Sequence, residues 1–184
     1  MLPARCARIG LLPAAVGLLL SATAATAQAP PPSEWKVFQE FGFLTGSWSG
    51  TAESGGKIGG RGVTFGLEVE GATLAYRATT YYPAKDGEAE LKAEEIARIV
   101  YDGSKGKYVA LLVFSTKAWG IFDGEVRPDG SIRFTSRELA NLEAGVKLRW
   151  TLSKKADGTL LEEVEVAGSG KDFAPYLSAT LTKR

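Results

Sequence analysis

Histidine is missing from all 184 residues of the chain, and cysteine and methionine occur once each, as Cys6 and Met1. Beyond residue 6 there is no imidazole, thiol or thioether. That excludes Ser-His-Asp and Cys-His nucleophile pairs, zinc sites built from thiolate or imidazole, and haem held by His, Cys or Met. A single cysteine allows no disulfide within the chain, so the core must hold the fold unaided. An excess of charge of one sign is also lacking. Lys and Arg number 22 against 21 Asp and Glu, a formal net charge of +1, which gives no broad electrostatic reason to expect nucleic acid as a partner. No metal site, cofactor or catalytic constellation is predicted.

The N-terminus reads as an export signal. Arg5 and Arg8 precede an apolar stretch, Ile9–Leu20, and Ala25-Thr26-Ala27 forms an A-x-A cleavage site. The stretch is too short to span a bilayer comfortably, so a cleaved signal peptide over 1–29 is expected, with no membrane span afterwards and a periplasmic or secreted location. Residues 30–34 read as a proline-rich linker, because Pro30, Pro31 and Pro32 fix φ and stop regular structure. The remaining domain, 35–184, opens with a predicted short helix, capped by Ser33 and carrying Trp35, Phe38, Phe41 and Leu44 at three-residue spacing.

After Gly46 the pattern is β. Val63, Phe65, Leu67 and Val69 alternate with Thr64, Gly66, Glu68 and Glu70. Val146, Leu148, Trp150 and Leu152 alternate with Lys147, Arg149, Thr151 and Ser153. Turn signals such as Asp102-Gly103, Asp129-Gly130 and Asp157-Gly158 separate the runs. About ten strands result, near 47–54, 62–70, 72–82, 90–101, 107–115, 118–126, 131–138, 145–153, 159–167 and 176–183. So many sequential strands leave exposed edges unless the sheet closes. The prediction is an all-β, ten-stranded antiparallel up-and-down β-barrel with a short N-terminal helix, with a sandwich as the alternative. An outer-membrane barrel fits poorly, because the wet faces are rich in Lys, Arg and Glu.

The segment Leu44-Thr45-Gly46-Ser47-Trp48-Ser49-Gly50 resembles the Leu-x-Gly-x-Trp-x-Gly opening of calycin-type barrels. These include lipocalins, fatty-acid-binding proteins and nitrobindin-like haem barrels. The stretch Tyr101–Tyr108, with Trp119 and Asp123-Gly124 after it, is similar to a family of exported bacterial domains of unknown function built on that barrel. The resemblance implies a barrel carrying a small apolar or amphipathic ligand. Nitrobindin-like barrels bind haem through a histidine, which this chain lacks.

Candidate site residues follow from polar groups that share a face with apolar ones. Arg98 lies in phase with Ile96 and Val100, and Glu162 with Leu160, Val164 and Val166. A buried charge needs a partner, so Arg98 and Glu162 read either as an internal pair or as anchors for a ligand head group. Arginine and tyrosine hold carboxylates in the fatty-acid-binding barrels that the chain resembles, which makes an acidic ligand a candidate. Tyr76, Tyr108 and Ser136 are possible companions, and Trp119, Phe122, Phe134 and Trp150 are candidates to line a cavity or to fill the core. Trp48 is expected to plug the closed end. Gly55-Gly56 and Gly59-Gly60 read as a flexible loop between the first two strands. The carboxylates Glu88, Glu90, Glu94 and Glu95 read as a solvated run. The fifth strand is apolar on both faces, so its outer row, Val109, Leu111 and Val113, needs cover from the helix, from local packing or from a homodimer through this strand. Three functions fit: an exported small-molecule binder, a cofactor-independent enzyme using Tyr, Arg and Glu, or an interaction module with a filled barrel.

Overall fold

The structure, a computed structural model, describes residues 34–184 apart from 85, 86 and 88. The expected signal peptide, the first four linker residues and the Ser33 cap lie outside the described residues. Ten strands form one closed antiparallel sheet in which each strand pairs with its sequence neighbours. They are β1 (Gly46–Ser54), β2 (Lys57–Glu68), β3 (Thr73–Tyr82), β4 (Leu91–Asp102) and β5 (Lys107–Phe114), then β6 (Trp119–Val126), β7 (Ile132–Ala140), β8 (Lys147–Lys154), β9 (Leu160–Ala167) and β10 (Ala174–Lys183). The seam joins β1 to β10, from Trp48 opposite Lys183 to Ser54 opposite Leu177. Closure removes every long edge, as the up-and-down reading expects.

Three of the hairpins share a local device. Asp102, Asp129 and Asp157 each stand before Gly and then Ser or Thr, and each carboxylate accepts bonds from both the backbone N–H and the hydroxyl of that third residue. These bonds lower the pKa of all three carboxyls, that of Asp102 to about 2 with help from Lys105. Such Asx turns define where one strand stops and the next begins.

The predicted N-terminal helix is not formed as such: Glu34–Phe41 makes only 3-10 turns. Three residues per turn suit the three-residue spacing of Phe38, Phe41 and Leu44, and all three are buried. They close one end of the barrel. Trp48 completes the plug, with its indole N–H donating to the Leu44 carbonyl at 2.7 Å. Phe41 packs on Tyr108 at 4.6 Å and on Phe134 at 6.4 Å between ring centroids.

The loop expected between the first two strands is also corrected. Gly55 and Gly56, with φ of 57° and 75°, form a two-residue hairpin turn, and β2 starts at Lys57 and runs straight through Gly59-Gly60. Gly46 needs its glycine for a φ of 111°. Gly50 needs it for space, because a Cβ there would stand 2.0 Å from the Thr180 carbonyl oxygen across the β1–β10 seam. Gly50→Ala is therefore expected to lower stability by about 1–3 kcal/mol. Gly62→Ala, where a Cβ meets nothing within 4 Å, should stay within about 0.5 kcal/mol. Paired urea titrations measure the difference, and equal midpoints would remove the seam argument.

The barrel's outer wall is not uniformly polar. Ile96, Val100 and Leu111 are 47%, 38% and 45% exposed on β4 and β5. Phe38 and Phe41 of the 3-10 segment pack at the plugged end beside Tyr108.

Candidate functional site

Alternation sends every second side chain into the barrel. Toward the plugged end those residues are large and apolar, among them Phe65, Phe122, Phe134, Ile99 and Leu160, all essentially inaccessible. Above them lies a polar layer. Arg61 on β2 is fully buried, and its Nε donates to Glu162 Oε2 on β9 at 2.8 Å. Its Nη1 donates to Thr80 Oγ1 at 2.5 Å and to Glu95 Oε1 at 3.3 Å. Its Nη2 reaches Tyr76 Oη at 2.7 Å, Glu95 Oε2 at 2.8 Å and Glu162 Oε1 at 3.0 Å. The five guanidinium N–H groups are thus all engaged.

Glu162 Oε1 is a further meeting point, accepting from Tyr76 Oη at 2.7 Å and from Trp150 Nε1 at 3.0 Å. The wall between Arg61 and Glu162 is lined with small residues. Gly50 stands opposite Arg61, and Ala179 stands opposite Glu162 and Ala52. Larger groups there would fill the space that the two charged chains cross. No buried side-chain polar atom among the described residues is left without a partner.

Electrostatics fix the protonation of this layer. Burial raises the Glu162 pKa, but the Arg61 charge and the bonds from Arg61, Tyr76 and Trp150 outweigh it, and the carboxyl lies below its ordinary value. Burial likewise opposes the Arg61 charge, yet Tyr76, Glu162 and Glu95 hold its pKa well above the usual one. Tyr76 is pushed well up, chiefly by burial, with Arg61 pulling the other way and both carboxylates adding to the rise. Tyr76 is therefore a protonated donor between two carboxylates, with one proton to share.

Beyond this layer the barrel is open. A cavity of about 360 Å³ lies at the end away from the plug, with Glu95 in its lining and walls that include Ala93, Phe114, Leu148, Val164 and Val166. Leu142, Glu143 and Tyr176 stand in its lining as exposed rim residues. Glu95 links cavity and layer, since its side chain is 15% exposed while Arg61 and Glu162 are at 0%.

Several predicted site residues fall into place around this geometry. Glu162, Tyr76 and Trp150 meet in the polar layer. Phe134 is buried below it, stacked on Trp150 at 5.0 Å, so it is core rather than cavity wall. Tyr108 sits at the plugged end, where its hydroxyl donates to the Val37 carbonyl. Burial, with Glu40 nearby, raises its pKa to about 12. Ser136 accepts from the Leu148 N–H at 2.9 Å. Two placements are corrected. Arg98 points outward, 45% exposed and bonded to Glu68 at 2.6 Å, because on β4 Ala97 and Ile99 face inward while Ile96, Arg98 and Val100 form the outer row. Trp119 also lies outside, opposite Val113 and in phase with Ile121, whereas Gly120 and Phe122 face in.

The residues that sequence reasoning missed are Arg61, Glu95 and Thr80. Arg61 is in phase with Val63 and Phe65, a signal hidden while Gly59-Gly60 read as a loop. Glu95 is in phase with Ala97 and Ile99 on the buried face of β4. Among the described residues no cluster of three or more His, Cys, Asp or Glu could hold a metal ion.

Fold and interior together define a closed ten-stranded antiparallel barrel, plugged at one end, braced by an ionic layer and open at the other end. Among solved structures it is similar to the crystal structure of Rv2717c from M. tuberculosis, with a TM-score of 0.56 at 20% identity, over 80% of this chain and 96% of that one. At this identity the likeness is one of fold. No family model matches the chain, and no curated protein matches it.

Proposed function

We propose that this protein is an exported, calycin-like barrel that binds an apolar or amphipathic small molecule in its open mouth. The observation that carries the reading is the half-filled interior. Aromatic side chains pack one half, while the other keeps a cavity of about 360 Å³ with largely apolar walls and the partly exposed Glu95 carboxylate at its floor. A preformed apolar cavity with few polar groups favours binding through burial of the ligand's apolar part. The export reading rests on the N-terminal sequence, and the calycin reading on Leu44, Gly46, Trp48 and Gly50.

Binding is favoured over catalysis by the polar layer. Tyr76 and Glu162 are within hydrogen-bond reach, as an acid/base pair would be, but their pKa values are driven apart, up for Tyr76 and down for Glu162. Neither is poised near neutral pH, where proton transfer is most effective. Native mass spectrometry of the purified protein, before and after organic extraction, tests the reading. A small molecule retained before extraction and lost after it is expected. A protein that stays empty and also takes up no apolar probe in a fluorescence titration would overturn the proposal.

A further inference from the structure

The charge and hydrogen-bond balance at the cavity floor points to the class of ligand. Arg61 is the cation of the layer, and Glu95 and Glu162 are its two carboxylates, so the three together carry one uncompensated negative charge. All five guanidinium N–H groups already have acceptors. The Tyr76 hydroxyl has one proton for two carboxylates, at 2.7 Å from Glu162 and 3.0 Å from Glu95. The donors of Arg61 and Tyr76 are spent. Acceptors are not, because Glu95 Oε1 receives a single bond, at 3.3 Å from Arg61, and a carboxylate oxygen has room for two. Glu95 is also the partly exposed member, and among the described residues the cavity lining contains no Lys or Arg. Glu143 adds a further carboxylate at the rim, and Glu94, also in the lining, is paired with Lys92 at 2.8 Å.

Resting on the reading of the mouth as a binding site, we infer that its ligand is an amphipathic cation, an amine-type head on an apolar body, with the head donating to Glu95. An ammonium at that position brings the layer to neutrality and uses its spare acceptor. The hydrocarbon or aromatic part then lies along Phe114, Leu148, Val164 and Val166. A carboxylate head would meet no cation in the described lining and would add a second uncompensated charge, unless it expelled Glu95 from Arg61. This reverses the acidic ligand expected from the sequence, where Arg98 served as the anchor.

The test uses three probes with one body: octylammonium, octanol and octanoate, titrated calorimetrically into the full protein at neutral pH and low salt. Octylammonium should bind about tenfold more tightly than octanol, the usual range for a hydrogen bond to a charged group, and octanoate should bind most weakly. Added sodium chloride should weaken octylammonium and leave octanol unchanged. Glu95→Gln should bring the amine to within about twofold of the alcohol; circular dichroism checks that the variant folds, and the wild-type ranking decides the matter without it. If octanoate or octanol binds as tightly as octylammonium, the mouth remains a binding site but the cationic class falls. If none of the three binds, both readings fall.

Discussion

Arg61→Met is expected to lower the stability of the folded barrel by about 3–5 kcal/mol at neutral pH, because it strands Glu162, at 0% exposure, without its cation. For a chain of this length that is a fall of roughly 10 °C or more in Tm. The pH dependence separates this cause from lost packing. In the wild type the Glu162 pKa is depressed by the Arg61 charge and its bonds, against the effect of burial. A depressed carboxyl adds stability that is present above its unfolded pKa of about 4.3 and is lost as pH falls through the folded value. Without Arg61 only burial and the two weaker donors act, and the Glu162 pKa rises above 4.3. Its contribution then changes sign: the variant is least penalised in acid and loses stability as pH rises toward the new folded value. Urea unfolding at about pH 4 and pH 7 should therefore show a larger gap between the proteins at pH 7. A gap that is equal at both pH values would assign the loss to packing. Arg61→Met with Glu162→Met should recover part of the loss by removing the stranded charge. Recovery stays partial, because Trp150 Nε1 loses its acceptor, at about 1–3 kcal/mol for a donor left buried, while Tyr76 Oη keeps Glu95.

The same residue shows why the fold was legible in the sequence while half of its site was not. Strands such as Val63–Phe65 and Leu148–Leu152 bury one face only, so their alternation survives in the amino-acid string, and the Asp-Gly turns mark their ends. Arg61 escaped because glycine carries no side chain to reveal phase. Gly59 and Gly60 look like a loop in sequence, yet they extend β2 and carry Arg61 inward with Val63. On β4 the hydropathy rule points the wrong way. Ile96 and Val100 are on the outer wall, and the charged Glu95 is inside, where Arg61 makes its burial tolerable. A compensating charge on another strand is a long-range fact, invisible to a window a few residues wide. Glu162 and Tyr76 were legible because their neighbours in phase, Leu160 and Leu74 among them, are apolar and do face inward. Arg98, read either as a partner of Glu162 or as a ligand anchor, is the wrong arginine for the same reason that Glu95 was overlooked: both follow from the reversed faces of β4.

That reversal also supplies the position from which to block the site. Ala93 is two residues before Glu95, shares its face of β4 and lines the mouth, opposite Thr80 of the polar layer. Ala93→Trp places an indole of some 150–250 Å² in the space that a ligand's apolar part would occupy. Binding of every probe that uses the mouth, whatever its head group, should fall at least about a hundredfold, the equivalent of about 2.7 kcal/mol of lost burial. Because the indole enters open volume rather than a packed core, stability should change by no more than about 1 kcal/mol. Ala93→Ser, which adds a hydroxyl and little bulk, should leave affinity within about threefold. Calorimetric titration of octylammonium against the three proteins, with urea midpoints measured alongside, provides the comparison. Undiminished binding by a folded Ala93→Trp protein would place the ligand outside the mouth. Loss of binding in Ala93→Trp, together with loss of amine preference alone in Glu95→Gln, would divide the work between the two residues. The cavity walls would supply affinity, and the single accessible carboxylate at its floor would supply the choice of head group.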